Sequence, residues 1–299
     1  MFIAPLLVFL DTLLYKRSMV IGHYTLTFGW ASAFAVNTKK TIFVMGSDIL
    51  VEPFKNIIKR FVIKFALRRA QHCIIDNLEG YKNLRKLGFK GTSILSPYGV
   101  SISQKPAKLI NRIIDNKEII LWNRGTFPIY NIQCFLDALT YVNEETKNDW
   151  EVIIAGKGSN DPIFTKNIDS LPFKDNISIL GYITDNETMK ELYEKSTIYV
   201  SSSLSDGTSV ALLEAMAKGL SIVSSDIINN RFWIKNTVNG FLFNPTSSIE
   251  LSEILINLIN KEISIDCRDK MIDLSFNHVK KYGSIQSFKN KLGKIIKSQ

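Results

Sequence analysis

The stretch "SDGTSVALLEAMAKGLSIVSSD", Ser205–Asp226, decides the fold because it places a loop, a helix and a strand in one short run. Small and hydroxyl residues occupy 207–209, and the following residues up to Ala217 are apolar except for Glu214. Thr208 or Ser209 is suited to cap the helix, whose free N–H groups attract an anion. The pattern predicts a buried helix that begins at a ligand site.

Glu214 is the one carboxylate within this apolar helix, and a buried charge without partners is costly. A vicinal diol, such as the 2′,3′-hydroxyl pair of a ribose, would supply two donors to one carboxylate. The alternative is a Glu214 that caps a neighbouring backbone group or pairs with a lysine. The residues alone leave both interpretations open.

The composition favours a globular protein with one large or two medium domains, since 45% of the 299 residues are hydrophobic. The three cysteines are widely spaced, which predicts buried thiols in a reducing compartment and neither a disulfide framework nor a metal site. No secretory signal is predicted, because no basic segment precedes the apolar opening and Asp11 interrupts it. Residues 18–36 are interpreted as a buried strand and a helix, not as a membrane span.

The net charge of +9 is distributed unevenly along the chain. Residues 1–110 hold 16 basic and 5 acidic residues, and residues 280–299 hold six lysines and no acid. The middle, 111–279, holds 15 basic and 23 acidic residues. A basic excess indicates nucleic acid or an anionic membrane as partner. Because no nucleic-acid-binding motif is present, we expect the membrane and no nucleic acid.

Short β-branched runs alternate with helical patterns along the chain, which predicts an α/β fold with parallel sheets. Strands are predicted at 19–25, 41–46, 72–76, 92–97, 118–123, 151–156, 177–183, 198–203, 221–226 and 240–244. The runs after 117 are expected to be buried on both faces. Helices are predicted near 2–15, 53–70, 130–145, 186–196, 209–218 and 249–262.

The polar stretch after Pro97 is the predicted linker between two Rossmann-like domains that face a cleft. The predicted domains are 1–108, which has only four strand candidates and so looks incomplete, and 109–279. Residues 280–299 are predicted to form a helix that crosses back to the first domain. A truncated reading frame, a start further upstream, loss of the elements in this lineage or a second chain would each explain the short first domain.

The 205–245 block resembles the signature of GT-B glycosyltransferases of family 4 (glycosyl transferases group 1). Asp206 and Glu214 match two acids that flank seven residues before a helix reading "LLEAMA.G", and "NTVNGFLFNP" resembles the family's "G.NGFLV.P". "VIIAGKG" (152–158) resembles its third-strand glycine loop, and "ILSPYGVS" (94–101) resembles "VIPNGVD". The resemblance covers about residues 20–280.

The resemblance implies a donor site for a nucleotide-diphosphate sugar. Asp206, which stands where the family usually has Glu, is then the sugar-side acid, and Glu214 is the ribose ligand. Arg124 matches the arginine that clamps the pyrophosphate; the lysine expected near it is replaced by Ile129 or Tyr130. These three, Arg124, Asp206 and Glu214, are the predicted catalytic residues. The predicted donor-binding residues are Gly156, Gly207, Thr208, Ser209, Val210, Tyr182 and Tyr130.

Three of these assignments have a plainer alternative. Gly156 could serve only a strand-to-helix turn, Tyr182 could pack in the core instead of touching the base, and Arg124 could be a surface residue. On the acceptor side, His23 matches the family's "H.H" element, although a buried structural histidine is favoured. "MGSD" resembles "HGSD", so Gly46, Ser47 and Asp48 are acceptor-side candidates, with Met45 in place of a histidine.

The function implied is a retaining glycosyltransferase that needs no metal or cofactor and moves a sugar from a UDP- or GDP-sugar. The acceptor is expected to be a saccharide, lipid-linked, in the synthesis of a surface polysaccharide such as lipopolysaccharide or capsule, or of a glycolipid. The main alternative is a weak or inactive sugar-nucleotide-binding subunit that needs a partner chain. A GT-B sugar-nucleotide epimerase is a further, less favoured alternative. A nicotinamide-dependent oxidoreductase is excluded because no G-x-G-x-x-G follows an early strand.

The segment "PFKNIIKRFVIKFALRRA" (53–70) predicts a basic amphipathic helix of the kind that lies in an anionic interface. The alternative is an ordinary domain helix with a solvated basic face. Together with the basic residues of 280–299, a basic amphipathic helix at 53–70 predicts a cytoplasmic protein that binds peripherally to the inner face of the cytoplasmic membrane.

Overall fold

The computed structural model of the chain describes residues 3–102, 104–113, 115–146 and 148–297. The chain divides into two compact units. The first, called the N-unit here, contains the chain up to Gly99 and the chain from Tyr282 onward. The second, the C-unit, is Val100–Lys281. Predictions that fall on residues 1, 2, 103, 114, 147, 298 and 299 lie outside the described residues.

The N-unit is built on a parallel sheet in the order β1-β2-β3-β4, as the alternation of strand and helix patterns predicts. The two central strands are mostly buried, which suits strands covered on both faces, whereas the two edge strands are mainly exposed or partly buried. The strands are β1 (Met19–His23), β2 (Lys39–Val44), β3 (His72–Ile75) and β4 (Thr92–Leu95).

The helices of the N-unit include the predicted apolar opening helix, of which residues from Ile3 onward are described. A π-helical turn (Tyr24–Gly29) leads into the short second helix, so a helix does follow β1. The helices before the C-unit are α1 (Ile3–Leu14), α2 (Trp30–Ser32), α3 (Ser47–Leu50), α4 (Glu52–Lys55), α5 (Ile57–Arg69) and α6 (Leu78–Lys86).

The single helix predicted over 53–70 is wrong, because the chain breaks at Asn56. Asn56 has extended backbone angles and caps α5, accepting from the backbone N–H groups of Ile58 (2.7 Å) and Lys59 (3.4 Å). An asparagine side chain competes with helical hydrogen bonds in this way, which favours a cap over a helix interior. The basic face therefore begins with α5.

The C-unit contains a second parallel sheet, of six strands in the order β10-β9-β8-β5-β6-β7. All six predicted strands are present. They are β5 (Glu118–Trp122), β6 (Trp150–Ala155), β7 (Ile177–Gly181), β8 (Ile198–Ser201), β9 (Ser221–Ser225) and β10 (Phe241–Phe243). β7 lies at one edge of the sheet, and exposed residues alternate with partly buried ones along it. The prediction that this strand is buried on both faces is therefore wrong.

The helices of the C-unit include the four that were predicted and three that were not. The predicted ones are α7 (Ile132–Glu145), α9 (Asn186–Lys195), α10 (Val210–Ala217) and α12 (Ser248–Ile259), and the additional ones are α8 (Pro162–Asp169), α11 (Asn230–Trp233) and α13 (Ile265–Tyr282). The last helix, α14 (Ile285–Lys297), belongs to the N-unit, where Phe288 and Ile295 pack against Phe43 and Ile74.

Of the three cysteines predicted to be buried thiols, Cys73 and Cys134 are buried and Cys267 is exposed. All three are free. The prediction is wrong for Cys267 because it lies on α13, a helix that the sequence pattern did not reveal. Among the described residues, no helix has both the length and the apolar character that crossing a bilayer requires.

A buried ion pair anchors α13 to the first strand of the C-unit. The guanidinium of Arg268 is 1% exposed and donates from both terminal nitrogens to the carboxylate of Glu118, at 2.5 and 3.0 Å. Its Nε donates to Ser221 Oγ (3.0 Å), and Thr197 Oγ1 donates to Glu118 Oε2 (2.5 Å). The network thus joins the amino ends of β5, β8 and β9, at the opposite end of the sheet from the loop that begins at Ser205.

We predict that Arg268→Met destabilises the C-unit by about 3–5 kcal/mol, because Glu118 is then a buried charge without a counterion. Denaturant unfolding followed by tryptophan fluorescence measures the loss. The double variant Glu118→Leu/Arg268→Met removes both charges and should recover most of it. A single variant as stable as the wild type would show that the pair is not structurally required.

Candidate active site

Arg124 and Asp206 meet at the carboxyl ends of neighbouring strands. Arg124 lies two residues after β5 and Asp206 lies in the loop after β8, the strand paired with β5. Their side chains form an ion pair and are only 12% and 19% exposed. Ligands of open parallel sheets collect at this edge. Arg124 is therefore not an ordinary surface residue.

Two further contacts fix the guanidinium of Arg124. Its Nη1 donates to Ser209 Oγ at 2.8 Å, and its central carbon lies 4.3 Å from the centroid of the Tyr130 ring. Its Nε is buried and has no hydrogen-bond partner among the described residues. Burial raises the pKa of Asp206, and the charge of Arg124 opposes that rise. The pair places a cation and a partly desolvated acid side by side.

The loop between the two predicted acids holds the amino end of α10. Ser209, one of the two predicted caps, accepts from the backbone N–H of Leu212 (3.3 Å). The amide of Gly207 donates to Asp206 Oδ1 (2.9 Å), and Thr208 Oγ1 accepts from the indole of Trp233 (3.4 Å). Val210, the first residue of α10, is 54% exposed.

Glu214 lies on α10, and its Oε2 accepts from the hydroxyl of Tyr193 at 2.9 Å. Among the described residues, Glu214 neither caps a backbone group nor forms an ion pair with a lysine, which were the two plainer expectations. Lys218 pairs instead with Glu194 (2.9 Å). Burial raises the pKa of Glu214, while the Tyr193 hydrogen bond and the charge of Lys218 oppose the rise.

Tyr199, on β8, connects Glu214 electrostatically with the ion pair. Burial raises the pKa of its hydroxyl to about 12. The charge of Arg124 opposes this rise, and the charges of Asp206 and Glu214 add to it. The charges of Glu214 and of the ion pair therefore both act on this buried hydroxyl. That the three residues form one catalytic site stays a prediction.

Gly156 positions Arg124 through the backbone. A Cβ on Gly156 would lie 1.8 Å from the carbonyl oxygen of Arg124, so only glycine allows the loops after β5 and β6 to approach so closely. The same loops are joined by the Thr126 N–H, which donates to Lys157 O (3.0 Å). The structure thus shows a packing role for Gly156; a donor contact stays a prediction.

The two predicted tyrosines occupy different surroundings. Tyr182 follows β7 and is 67% exposed, so the interpretation that it packs in the core is wrong. Its contact with a nucleotide base stays a prediction. Tyr130 offers its ring face to Arg124. Its neighbour Ile129 is 44% exposed.

The acceptor-side candidates lie in the N-unit, and two of them differ from expectation. His23 was favoured as a buried residue, but it is exposed at the end of edge strand β1, stacks on Phe43 and lies 2.9 Å from the hydroxyl of Tyr98 through Nδ1. Asp48 is wholly buried and accepts from Thr25 N (2.8 Å) and Thr25 Oγ1 (2.6 Å). Burial raises its pKa.

Asp48 therefore supports the turn, because its carboxylate has no exposed surface in this structure and also accepts from the backbone N–H of Met45 (3.1 Å). Gly46 has a φ of +86°, which favours glycine at that position. Ser47 is exposed and lies beside the hydroxyl of Tyr24 (3.5 Å). Of the four candidates, His23 and Ser47 offer exposed side chains.

Sequence reasoning missed Asn123 and Tyr193, and it offers Asn229 only as a loop residue that could meet the substrate. Asn123 Nδ2 donates to the Tyr193 hydroxyl (2.7 Å), and Asn229 Nδ2 donates to the carbonyl oxygen of Asp206 (2.7 Å). A signal existed for Tyr193: Leu192 and Tyr193 are the apolar positions near the end of an otherwise polar helix, so the tyrosine hydroxyl had to find a buried partner. The described residues contain no group of three or more His, Cys, Asp or Glu arranged to hold a metal ion.

The sequence profile of the glycosyl transferases group 1 family matches residues 104–275. The chain belongs to this family. The match spans the site and confirms the family resemblance of the 205–245 block. The narrower assignment to family 4 and the shortened first domain stay predictions.

Two curated relatives carry names that describe their reactions. The chain is 27% identical over 206 residues to UDP-Gal:alpha-D-GlcNAc-diphosphoundecaprenol alpha-1,3-galactosyltransferase of Escherichia coli, which covers 64% of this chain and 52% of that protein. It is 26% identical over 240 residues to N,N'-diacetylbacillosaminyl-diphospho-undecaprenol alpha-1,3-N-acetylgalactosaminyltransferase of Campylobacter jejuni, covering 73% and 60%. The chain thus spans between half and two thirds of the length of these relatives.

The fold is shared with solved structures. Anabaena HepE in complex with UDP superposes with a TM-score of 0.81 at 15% identity, covering 99% of this chain and 82% of that one. At this identity the likeness concerns the fold alone. It confirms the predicted class, an α/β protein with two Rossmann-like domains of the GT-B type.

We predict that Gly156→Ala displaces the Arg124 loop and lowers the free energy of unfolding by about 2 kcal/mol or more, because its Cβ overlaps a backbone oxygen. Denaturant unfolding measures the loss. Gly293→Ala is the matched control, because a Cβ there meets nothing within 4 Å and alanine favours the surrounding helix. Equal stability of the two variants would contradict the close approach.

Proposed function

We propose that the chain is a metal-independent, retaining glycosyltransferase that takes a sugar from a nucleotide-diphosphate sugar. The observation that carries this proposal is the Arg124–Asp206 pair beside the capped amino end of α10. A guanidinium and the amino end of a helix at the carboxyl ends of parallel strands suit a diphosphate. Glu214, further along the same helix, suits the ribose.

The relatives support a particular substrate class. The E. coli relative is named for a UDP-sugar, both curated relatives are named for undecaprenol-diphosphate-linked substrates, and the HepE structure contains UDP. We therefore propose a UDP-sugar as donor, with a GDP-sugar as the alternative, and a lipid-linked saccharide as acceptor. The product would extend a surface polysaccharide or a glycolipid.

In the proposed reaction, the bond between the sugar's anomeric carbon and the diphosphate oxygen breaks while the acceptor hydroxyl attacks from the same face. The acceptor proton passes to the departing phosphate oxygen, and the nucleoside diphosphate leaves. Arg124 stabilises the negative charge that develops on that phosphate. Asp206 contacts the transferred sugar, and its ion pair holds Arg124 in place before the donor arrives.

We predict that the purified chain binds one nucleoside diphosphate among UDP, GDP and ADP, with UDP preferred, and that Glu214→Ala weakens binding at least tenfold. The reason is the loss of a charged acceptor for ribose hydroxyls, worth about 1.5–3 kcal/mol. Calorimetric titration measures both. Glu253→Ala, which removes an exposed glutamate on α12, is the control and should bind as the wild type does.

Failure of a folded wild-type chain to bind any of the three nucleotides would refute the donor site. A catalytically weak binding subunit is the second candidate, and one observation favours it. Where the family has its second phosphate cation, this chain has Ile129, which is 44% exposed, and Tyr130, whose ring packs against the Arg124 guanidinium. Turnover of a donor sugar by the chain alone would show that it is an active glycosyltransferase. Nucleotide binding without turnover would support the binding subunit instead.

We also propose a peripheral site at the inner face of the cytoplasmic membrane. Ile57, Ile58 and Phe61 of α5 are 84%, 69% and 67% exposed beside the basic residues of that helix. In α1, only Pro5 and Thr12 are buried, while the side chains of Leu6 and most other apolar residues are exposed. Apolar side chains flanked by basic residues suit the interface of an anionic bilayer.

We predict that the chain sediments with vesicles containing anionic lipid at low salt and that binding declines as salt increases, because screening weakens the attraction. Ile57→Ser/Phe61→Ser should reduce binding about tenfold or more, since two inserted side chains are lost. Ile163→Ser, which alters a 74% exposed residue of the C-unit, should not. Wild-type protein that ignores such vesicles at low salt would end this proposal.

A further inference from the structure

Tyr193 and Glu214 form a buried contact between two helices of the C-unit. Tyr193, on α9, is 2% exposed, and its hydroxyl lies 2.9 Å from Glu214 Oε2 and 3.3 Å from the carbonyl oxygen of Ala211. On the other side, Asn123 Nδ2 donates to the same hydroxyl oxygen at 2.7 Å. Asn123 Nδ2 can only donate, whereas Glu214 Oε2 and Ala211 O can only accept, so the Tyr193 proton points towards Glu214 and Ala211.

The two helices are held at a fixed separation by Arg112. Its guanidinium donates to the carbonyl oxygens of Tyr193 (2.7 Å), at the end of α9, and of Gly219 (2.6 Å), just after α10. The ion pair between Lys218 and Glu194 joins the same helix ends. The distance between the tyrosine ring and the glutamate is therefore set by the backbone as well as by their hydrogen bond.

A carboxylate offers about four lone-pair sites, and Tyr193 occupies one of them. The bond restricts rotation of the carboxylate and leaves the other oxygen, Oε1, to receive a ligand. Two hydroxyls on adjacent carbons match such an oriented carboxylate better than one hydroxyl does. A freely rotating carboxylate would lose side-chain entropy on binding that this one has already lost.

We propose that Tyr193 is a positioning residue that acts through Glu214 and makes the site selective for a nucleotide with an intact 2′,3′-diol. Asn123 supports it by orienting the tyrosine hydroxyl. The inference rests on the proposed function, because it takes the nucleotide ribose to be the ligand of Glu214. Tyr193 itself does not touch the ligand.

The hydrogen bond from Tyr193 also favours the ionised form of Glu214. Among the described residues, Tyr193 contacts its carboxylate, and Lys218 and Tyr199 interact with it electrostatically. Burial raises the pKa of Glu214, and the bond from Tyr193 is the main opposing influence. Burial also raises the pKa of Tyr193 well above its usual value, so it stays a proton donor. Without that bond the pKa of Glu214 rises further, and the decline of ribose binding at acid pH moves to higher pH.

The experiment compares the affinities of UDP and 2′,3′-dideoxy-UDP for the wild type and for Tyr193→Phe. The wild type should prefer UDP about 10- to 100-fold, as expected for hydrogen bonds to a charged group. Tyr193→Phe should reduce this preference below about fivefold and change the affinity for dideoxy-UDP less than about twofold. The acid decline of UDP binding should shift upward in the variant. Tyr141→Phe, on an exposed position of α7, is the control.

Asn123→Ala provides a second route that leaves the tyrosine ring in place, and it should lower the preference for UDP by a smaller factor. Unfolding midpoints of all variants identify any that are misfolded. Retained preference in folded Tyr193→Phe and Asn123→Ala would overturn the inference and leave the proposed function standing. A wild type that prefers UDP over dideoxy-UDP less than twofold, or binds neither, would overturn both.

Discussion

The ion pair between Arg124 and Asp206 is the interaction on which the C-unit's site depends. It joins the carboxyl ends of β5 and β8 across a pair of neighbouring strands. From this pair, contacts extend to Ser209, which caps α10, and to Asn229, which holds the backbone of the Asp206 loop. The position of the helix that carries Glu214 is therefore linked to the position of one guanidinium.

Close backbone approach makes that arrangement feasible. Gly156 lets the loop after β6 lie against the carbonyl of Arg124, and the arginine side chain is then oriented by the Tyr130 ring and by Ser209. At the opposite end of the sheet, Arg268 and Glu118 join β5 to α13. The site thus rests on a strand with an ion pair near each end, one buried, Arg268–Glu118, and one partly buried, Arg124–Asp206.

Most of the fold could be predicted from the sequence, because the strand and helix patterns are strong and alternate regularly. The exceptions have physical causes. Asn56 breaks a helix whose apolar and basic periodicity continues across it, since its side chain caps the next helix. The helix α13 was missed because two polar residues, Arg268 and Ser275, interrupt its buried face. Arg268 is typical of an exposed position until the fold brings Glu118 to it from 150 positions away.

The site could be predicted in part. The residues that carry the family signature, Asp206 and Glu214, are recognisable because they lie in one short segment with a fixed spacing of seven residues between them. Tyr193 and Asn123 come from other elements, 21 and 91 residues from Glu214, and only the fold brings them together. The burial of Asp48 likewise depends on Thr25, which the sequence does not connect with it.

The most direct test of this account is a structure determined with UDP bound. We predict that the diphosphate lies within hydrogen-bond distance of the Arg124 guanidinium and of the amides at 207–210, with the ribose 2′- and 3′-hydroxyls on the Glu214 carboxylate. A nucleotide bound elsewhere, or one whose ribose does not reach Glu214 while Arg124 remains paired only with Asp206, would contradict it.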